Sequence, residues 1–237
     1  MSQTVAFRTY NRRDSVVFRK THEQFGGLSN MASGFPLEVN RVRIRTSEAL
    51  YQACRFPQNP NIQRLIIQQR SPMTAKMLGK PHHKETRPDW EKVRVKIMRW
   101  CLRVKLAQNW QTFSALLRST GDRPIVEESR KDDFWGAKAV DEEMLVGANV
   151  LGRLLMELRE ELRGHNESRL SRVEPPRIPQ FWLYVKPIGV VEAPASTQTL
   201  QPALLEQLVI YQPATAIHET KQFKVSRVGV VLKHGTK

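Results

Sequence analysis

Apolar and polar positions fall in short runs over the first 45 residues and switch to a helical period after Ser47. Val16-Val17-Phe18 and the segment from Val39 to Ile44 favour extended structure, with Asn40-Arg41 as a turn between short strands. Between them, Phe25-Gly26-Gly27-Leu28-Ser29-Asn30 reads as a loop whose paired glycines admit unusual backbone angles or the close approach of a ligand. Ser47 is expected to cap a helix from Glu48 to about Phe56, stopped by Pro57 and Asn59-Pro60. Ile62, Leu65, Ile66 and Gln69 keep a helical period, and Ser71-Pro72 joins a cap to a proline at the first position of a short helix ending near Gly79. Trp90, Val93, Ile97, Cys101 and Leu102 predict a helix from Asp89 to about Leu106, and another covers Phe113 to Leu117. Ile125-Val126 reads as a buried strand. Val150, Leu151, Leu154, Leu155, Leu158 and Leu162 form the strongest amphipathic pattern in the chain.

At Gly164 the pattern changes. The stretch from His165 to Arg172 is polar, and Pro175, Pro176 and Pro179 break any helix. Phe181 to Val191 then reads as β-rich, with a short apolar segment near Leu204 to Tyr211 and a final strand around Val225 to Leu232. The fold class expected is α+β, a compact and mostly helical domain with short strands over residues 1–163. Residues 164–237 are expected to form a smaller β-rich C-terminal appendage, to which the sequence assigns no role.

Composition adds two points. With 40% hydrophobic and 26% charged residues the chain can build a packed core, and no apolar run approaches the ~18 residues of a membrane span. Neither a secretory leader nor a disulfide framework is expected, because the N-terminus lacks an apolar stretch and only Cys54 and Cys101 are present. The expectation is a cytoplasmic protein with no metal and no cofactor, since His82-His83 lack ligand-spaced carboxylates or thiols. The net charge of +15 is uneven: residues 48–118 hold 14 basic and 4 acidic side chains, whereas residues 119–163 hold 7 and 11. A basic excess of this kind attracts polyanions, although a solvated surface without a nucleic-acid partner has the same composition.

Four polar–aromatic clusters carry the chemistry: Gly26 to Asn30, Thr46 to Phe56, Arg87-Pro88-Asp89-Trp90, and Val126 to Gly136. Glu48 and Gln52 are four apart and share a helix face, with Arg55 close to it. Taken singly, each cluster has a plain structural use. Glu48 suits the first turn of a helix, Trp90 suits a core, and Asp132-Asp133 suits a solvated turn.

Jointly they look like one family. F-x-G-G-L-S-N-M, T-S-E-A-L-Y-Q-A-C-R-F, S-P-M-T-A-K-M-L-G, R-P-D-W, I-V-E-E-S-R-K-D-D-F-W-G and N-V-L-G-R-L-L-M-E-L-R occur in an order that resembles the NADAR family of YbiA-like N-glycosidases. The resemblance covers roughly residues 18 to 163. It implies a compact α+β domain that hydrolyses N-glycosidic bonds of ribosides. Two substrates are associated with the family: ADP-ribose on guanine bases in nucleic acid, and phosphorylated ribosylamino-pyrimidine intermediates of riboflavin biosynthesis. A non-catalytic ADP-ribose-binding module is the third reading. The partner expected is therefore an ADP-ribosylated nucleobase or nucleic acid, or a small riboside phosphate.

On this resemblance Glu48 is the first choice for the carboxylate that faces the cationic anomeric carbon, and Asp132 the second. Trp90 and Trp135 offer flat faces to a base. Gly27, Ser29, Asn30, Gln52 and Gly136 are expected to contact substrate, and Arg55 and Lys76 to pair with phosphate. Family members commonly carry lysine where this chain has Arg55. A guanidinium stays protonated and cannot act as an amine nucleophile, so Lys76 becomes the candidate amine.

Overall fold

The computed structural model describes residues 5–164 and 167–194. The apolar segments expected near residues 204–211 and 225–232 lie outside the described residues.

The chain begins with β1 (Arg8–Asn11) and β2 (Val16–Phe18), followed by a hairpin of β3 (Leu37–Val39) and β4 (Val42–Ile44). Asn40 and Arg41 join that hairpin with φ of 50° and 64°, the two-residue turn whose twist matches antiparallel strands. Helix α1 (Ser47–Ala53) comes next. Its cap is Thr46, whose Oγ1 accepts the Ala49 N–H at 3.3 Å, and not the expected Ser47, which lies in the first turn with its hydroxyl buried and unpaired. The helix stops at Ala53 rather than near Phe56. There the Arg55 and Phe56 N–H groups bond back to Gln52 and Ala53 in a tightened turn before Pro57.

Helix α3 (Pro72–Leu78) begins as the sequence reads, with Ser71 as cap and a proline at the first position, and α2 (Pro60–Ile67) begins in the same way at Asn59-Pro60, a pair expected only to stop the preceding helix. The long helix α4 (Trp90–Gln108) buries 11 of its 19 residues, so more than one face is covered and it is the central helix of the fold. After α5 (Trp110–Ser119) come β5 (Ile125–Glu127), β6 (Lys138–Ala139), β7 (Met144–Gly147) and α6 (Val150–Gly164). Strand β7 pairs antiparallel with β1 and β6, whereas β5 runs parallel to β2 and sets Glu127 opposite Phe18. Helices α1, α5 and α6 all pack on α4.

The segment beyond Gly164 belongs to the same core. It forms α7 (Glu167–Leu170), β8 (Arg172–Val173), β9 (Trp182–Leu183), β10 (Lys186–Pro187) and β11 (Val191–Glu192). Val173, Phe181, Leu183, Ile188 and Val191 are buried with the residues of α1 and α4, and the Phe181 ring meets Trp100 edge-on at 4.9 Å. Buried Arg87 donates to the Pro179 carbonyl at 2.7 Å, and Gln63 to that of Trp182 at 3.0 Å. The boundary expected at 163/164 therefore falls inside one packed unit, because the apolar residues of the short strands cover α4 instead of building a core of their own. Among the described residues no helix is long and apolar enough to cross a membrane.

Phe181→Ala should lower the unfolding free energy by about 3–5 kcal/mol, the usual cost of emptying a packed aromatic site, and should do so within a single cooperative transition. Denaturant unfolding measures it; an unchanged midpoint would show that residues 172–192 pack independently of the helical body.

Candidate active site

A cleft of about 570 Å³ opens where α1, α3, the start of α4, the loop after β5 and the Ser29-Asn30 segment meet. That volume falls within the ~300–1,000 Å³ of ordinary small-molecule sites. Ser29, Asn30, Glu48, Gln52, Arg55, Lys76, Trp90, Asp132 and Trp135 all line it, although they are spread over more than a hundred residues of sequence. Gly27 and Gly136 do not line it.

Glu48 lies in the first turn of α1, a helix whose seven residues are all buried. Its N–H donates to the Asn30 carbonyl at 3.0 Å, and its Oε1 accepts the Gln52 amide at 2.9 Å. Burial raises its pKa above the ordinary carboxylate value, Lys76 and the Gln52 hydrogen bond act to lower it, and Asp132 adds a smaller upward push. Asp132 uses Oδ1 to accept the N–H groups of Phe134 and Trp135, at 3.1 and 2.9 Å, which turns the chain so that Trp135 faces the cleft. Glu127, at the end of β5, is a third carboxyl of the same cleft. Burial, with Glu48 and Asp132 nearby, pushes it up to about 7 against the opposing pull of Lys76.

The aromatic wall is continuous. Tyr51 stands between the two tryptophans, with ring centroids 5.0 Å from Trp90 and 5.6 Å from Trp135. Guanidinium groups lie over its outer faces, Arg55 at 5.6 Å from Trp90 and Arg94 at 3.7 Å from Phe134. Arg55 also donates Nε to Thr86 Oγ1 at 2.9 Å. Arg19, Arg55, Lys76, Arg94 and Arg130 make the cleft cationic around the carboxyls on its lining. The thiols take no part: burial pushes Cys54 up to about 12 and Cys101 well above its ordinary value.

The glycine assignments need correcting. The Gly27 carbonyl accepts from Lys105 Nζ at 2.6 Å, and a Cβ there would come within 2.7 Å of Leu116 Cδ2. A Cβ on Gly136 would lie 2.4 Å from the Glu127 carbonyl oxygen. Each glycine lets two chain segments close on one another, which positions the cleft walls without touching their contents.

Similarity to known proteins agrees with this geometry. Residues 17–163 match the NADAR domain. The chain belongs to the NADAR family. N-glycosidase YbiA of Escherichia coli is 36% identical over 151 residues, which cover 63% of this chain and 90% of that protein. The NMR structure of YbiA superposes with a TM-score of 0.54 at 34% identity, covering 63% of this chain and 86% of that one. A riboflavin biosynthesis protein of Vibrio vulnificus is 31% identical over 180 residues, covering 75% of this chain and 47% of its own length.

Sequence reasoning passed over several lining residues of this NADAR domain. Glu127 sits in the I-V-E-E-S-R-K motif but reads as the polar end of a strand. Tyr51 lies inside the T-S-E-A-L-Y-Q-A-C-R-F motif without being singled out, and Arg94 shows itself only as the residue four positions after Trp90, on the same face of α4. Lys105, which lies outside the cleft lining, is less visible still. It is fully buried in α4, bonds the Gly27 and Ser29 carbonyls at 2.6 and 3.0 Å, and stands 4.3 Å from the ring centroids of both Phe35 and Phe113. It thereby holds the NADAR loop whose Asn30 carbonyl anchors the Glu48 backbone.

Burial pulls the Lys105 ammonium down to about 7 from 10.5, so between those values the unfolded chain binds a proton that the folded chain has released. Stability contributed by this group therefore rises with pH from about 7 to about 10.5. Denaturant midpoints measured across that range should show the rise in the wild type and a flatter profile in Lys105→Met.

Proposed function

We propose that this chain is an N-glycosidase that removes ADP-ribose from guanine bases in nucleic acid, hydrolysing the bond between ribose C1 and the base nitrogen in the cleft beneath Trp90 and Trp135. The hydrolysis of N-glycosyl bonds is supported by membership of the NADAR family and by the N-glycosidase relatives. The observation that carries the reading is the meeting, in one cleft, of buried Glu48, a wall of three aromatic rings and five cationic side chains.

Departure of a nitrogen base leaves positive charge on C1 and the ring oxygen. The Glu48 carboxylate, favoured by Lys76 nearby, stabilises that charge, and in a partly dry cleft the attraction exceeds what water would allow. The flat base stacks against the tryptophans, and the arginines around the cleft suit a pyrophosphate. The basic excess of residues 48–118 suits a polyanion attached to the base. Lys76 also stands near Glu48 as the available amine, whereas Arg55 is engaged with Thr86 and Trp90.

A second reading has its own support. The similarity to a riboflavin biosynthesis protein favours a phosphorylated ribosylamino-pyrimidine, a smaller ribosylamine that the same carboxylate and arginines would accommodate.

Purified protein incubated with ADP-ribosylated guanine DNA should release ADP-ribose, and Glu48→Gln should reduce that release by about a hundredfold or more. Raising salt should weaken capture of long modified DNA far more than capture of a free nucleotide. Turnover of the ribosylamino-pyrimidine phosphate alone would replace the first reading with the second. Tight ADP-ribose binding without turnover of either would make the cleft a binding site only.

A further inference from the structure

The lining of the cleft holds five carboxyls, and four of them are engaged. Glu48 accepts from Gln52. Asp132 accepts two backbone N–H groups. Glu128 pairs with Arg12 at 2.8 Å and lies 3.8 Å from Arg19, and Glu91 pairs with Arg94 at 2.9 Å. Glu127 is the remaining one: its carboxyl makes no hydrogen bond or ion pair with another described residue, yet it faces the same space.

Its backbone, by contrast, is fixed. The Glu127 N–H donates to Asn149 Oδ1 at 3.1 Å, and its carbonyl accepts the Ala137 N–H at 2.8 Å. The next residue's N–H donates to the Phe18 carbonyl at 2.9 Å, which continues the pairing with β2. A rigid strand end that presents an uncommitted carboxyl to a cleft provides a group free to exchange a proton with a ligand.

Resting on the N-glycosidase reading, we propose that Glu127 is the general acid of the reaction, the group that protonates the departing nitrogen. The division of labour follows from the surroundings. Burial raises the Glu48 pKa, but Lys76 and the Gln52 hydrogen bond oppose that rise and favour its carboxylate form, which suits it to face the developing cation. Glu127 has no donor of its own, and burial together with Glu48 and Asp132 keeps it protonated to about pH 7, opposed only by Lys76. The other charged groups lining the cleft are Arg19, Arg55, Arg94 and Arg130 with Glu91 and Glu128.

In the step itself the C1–N bond breaks and its electron pair remains on nitrogen, which takes the Glu127 proton. Water adds to C1, giving the sugar its hydroxyl, and passes its other proton to a cleft carboxylate. That carboxylate then releases its proton to solvent and Glu127 takes one up from solvent, which restores both groups. The products are the free base and the ribosyl hydroxyl, with no net change in protons.

The test compares leaving groups. For wild type acting on ADP-ribosylated guanine DNA, kcat should fall above about pH 7, as Glu127 loses its proton. A 4-nitrophenyl ribofuranoside 5-phosphate, whose phenolate leaves without help, should show no such fall. Glu127→Gln should reduce kcat on the modified DNA by about a hundred- to ten-thousandfold and remove the alkaline fall, while leaving the nitrophenyl substrate close to the wild-type rate. Glu127→Asp should keep the alkaline fall at a reduced rate. A wild-type profile flat through pH 7, or equal losses on both substrates in a folded Glu127→Gln, would overturn the assignment while leaving the N-glycosidase reading intact. A wild type that releases base from no N-riboside would overturn that reading, and this one with it. The two wild-type pH profiles decide the matter even if the glutamine variant does not fold.

Discussion

A carboxylate held out of water beside one lysine is the interaction on which the rest of the structure depends. An ion in a low-dielectric setting is costly unless opposite charge and hydrogen bonds compensate it. Glu48 obtains that compensation from two places, the Gln52 amide one turn along α1 and the Lys76 ammonium on α3, while its backbone N–H bonds the Asn30 carbonyl and fixes where the helix begins. The arrangement opposes the upward push of burial on the carboxyl's pKa and keeps the group on the lining of the cleft. The same burial that strains the carboxylate strengthens its attraction for a cation forming beside it.

The neighbouring carboxyls show how one fold sets different proton affinities for one side-chain type. Asp132 is tied into a backbone turn, Glu128 and Glu91 are tied to arginines, and Glu127 has no hydrogen-bond or ion-pair partner among the described residues, with burial, Glu48 and Asp132 outweighing Lys76. Their residue types and proximity do not distinguish them. Their partners do. Five cations and five carboxyls share the lining of the cleft, so groups of both signs stand within one small space.

Support for the cleft comes from outside it. Lys105 is buried at a distance from any substrate, yet its two carbonyl bonds hold the loop that in turn holds Glu48. Helix α4 serves several walls at once: Trp90 and Arg94 near its start face the cleft, while Trp100 and Lys105 further along carry the C-terminal strands and the Gly27–Asn30 loop. Residues beyond Gly164 complete the cover of that helix. Damage to those distant strands therefore reaches the site through loss of packing rather than loss of contact.

Local rules made much of the chain legible from its sequence. The helix start at Ser71-Pro72, the amphipathic stripe from Val150 to Leu162, the turn at Asn40-Arg41 and the strand at Ile125-Val126 each depend on residues a few positions apart, and the structure contains them. Motif order also singled out Glu48, Trp90, Asp132 and Trp135, which meet in one cleft. The cap of α1, the allegiance of residues 172–192, the structural use of Gly27 and Gly136, and the exposure of Glu127 to the cleft were decided only by tertiary structure. Each depends on what approaches from far along the chain: the Leu116 side chain beside Gly27, the Glu127 carbonyl against Gly136, Trp100 beneath Phe181. Sequence spacing encodes neighbours along one element, whereas proton affinity and burial are set by neighbours across elements, and those exist only once the chain has closed on itself.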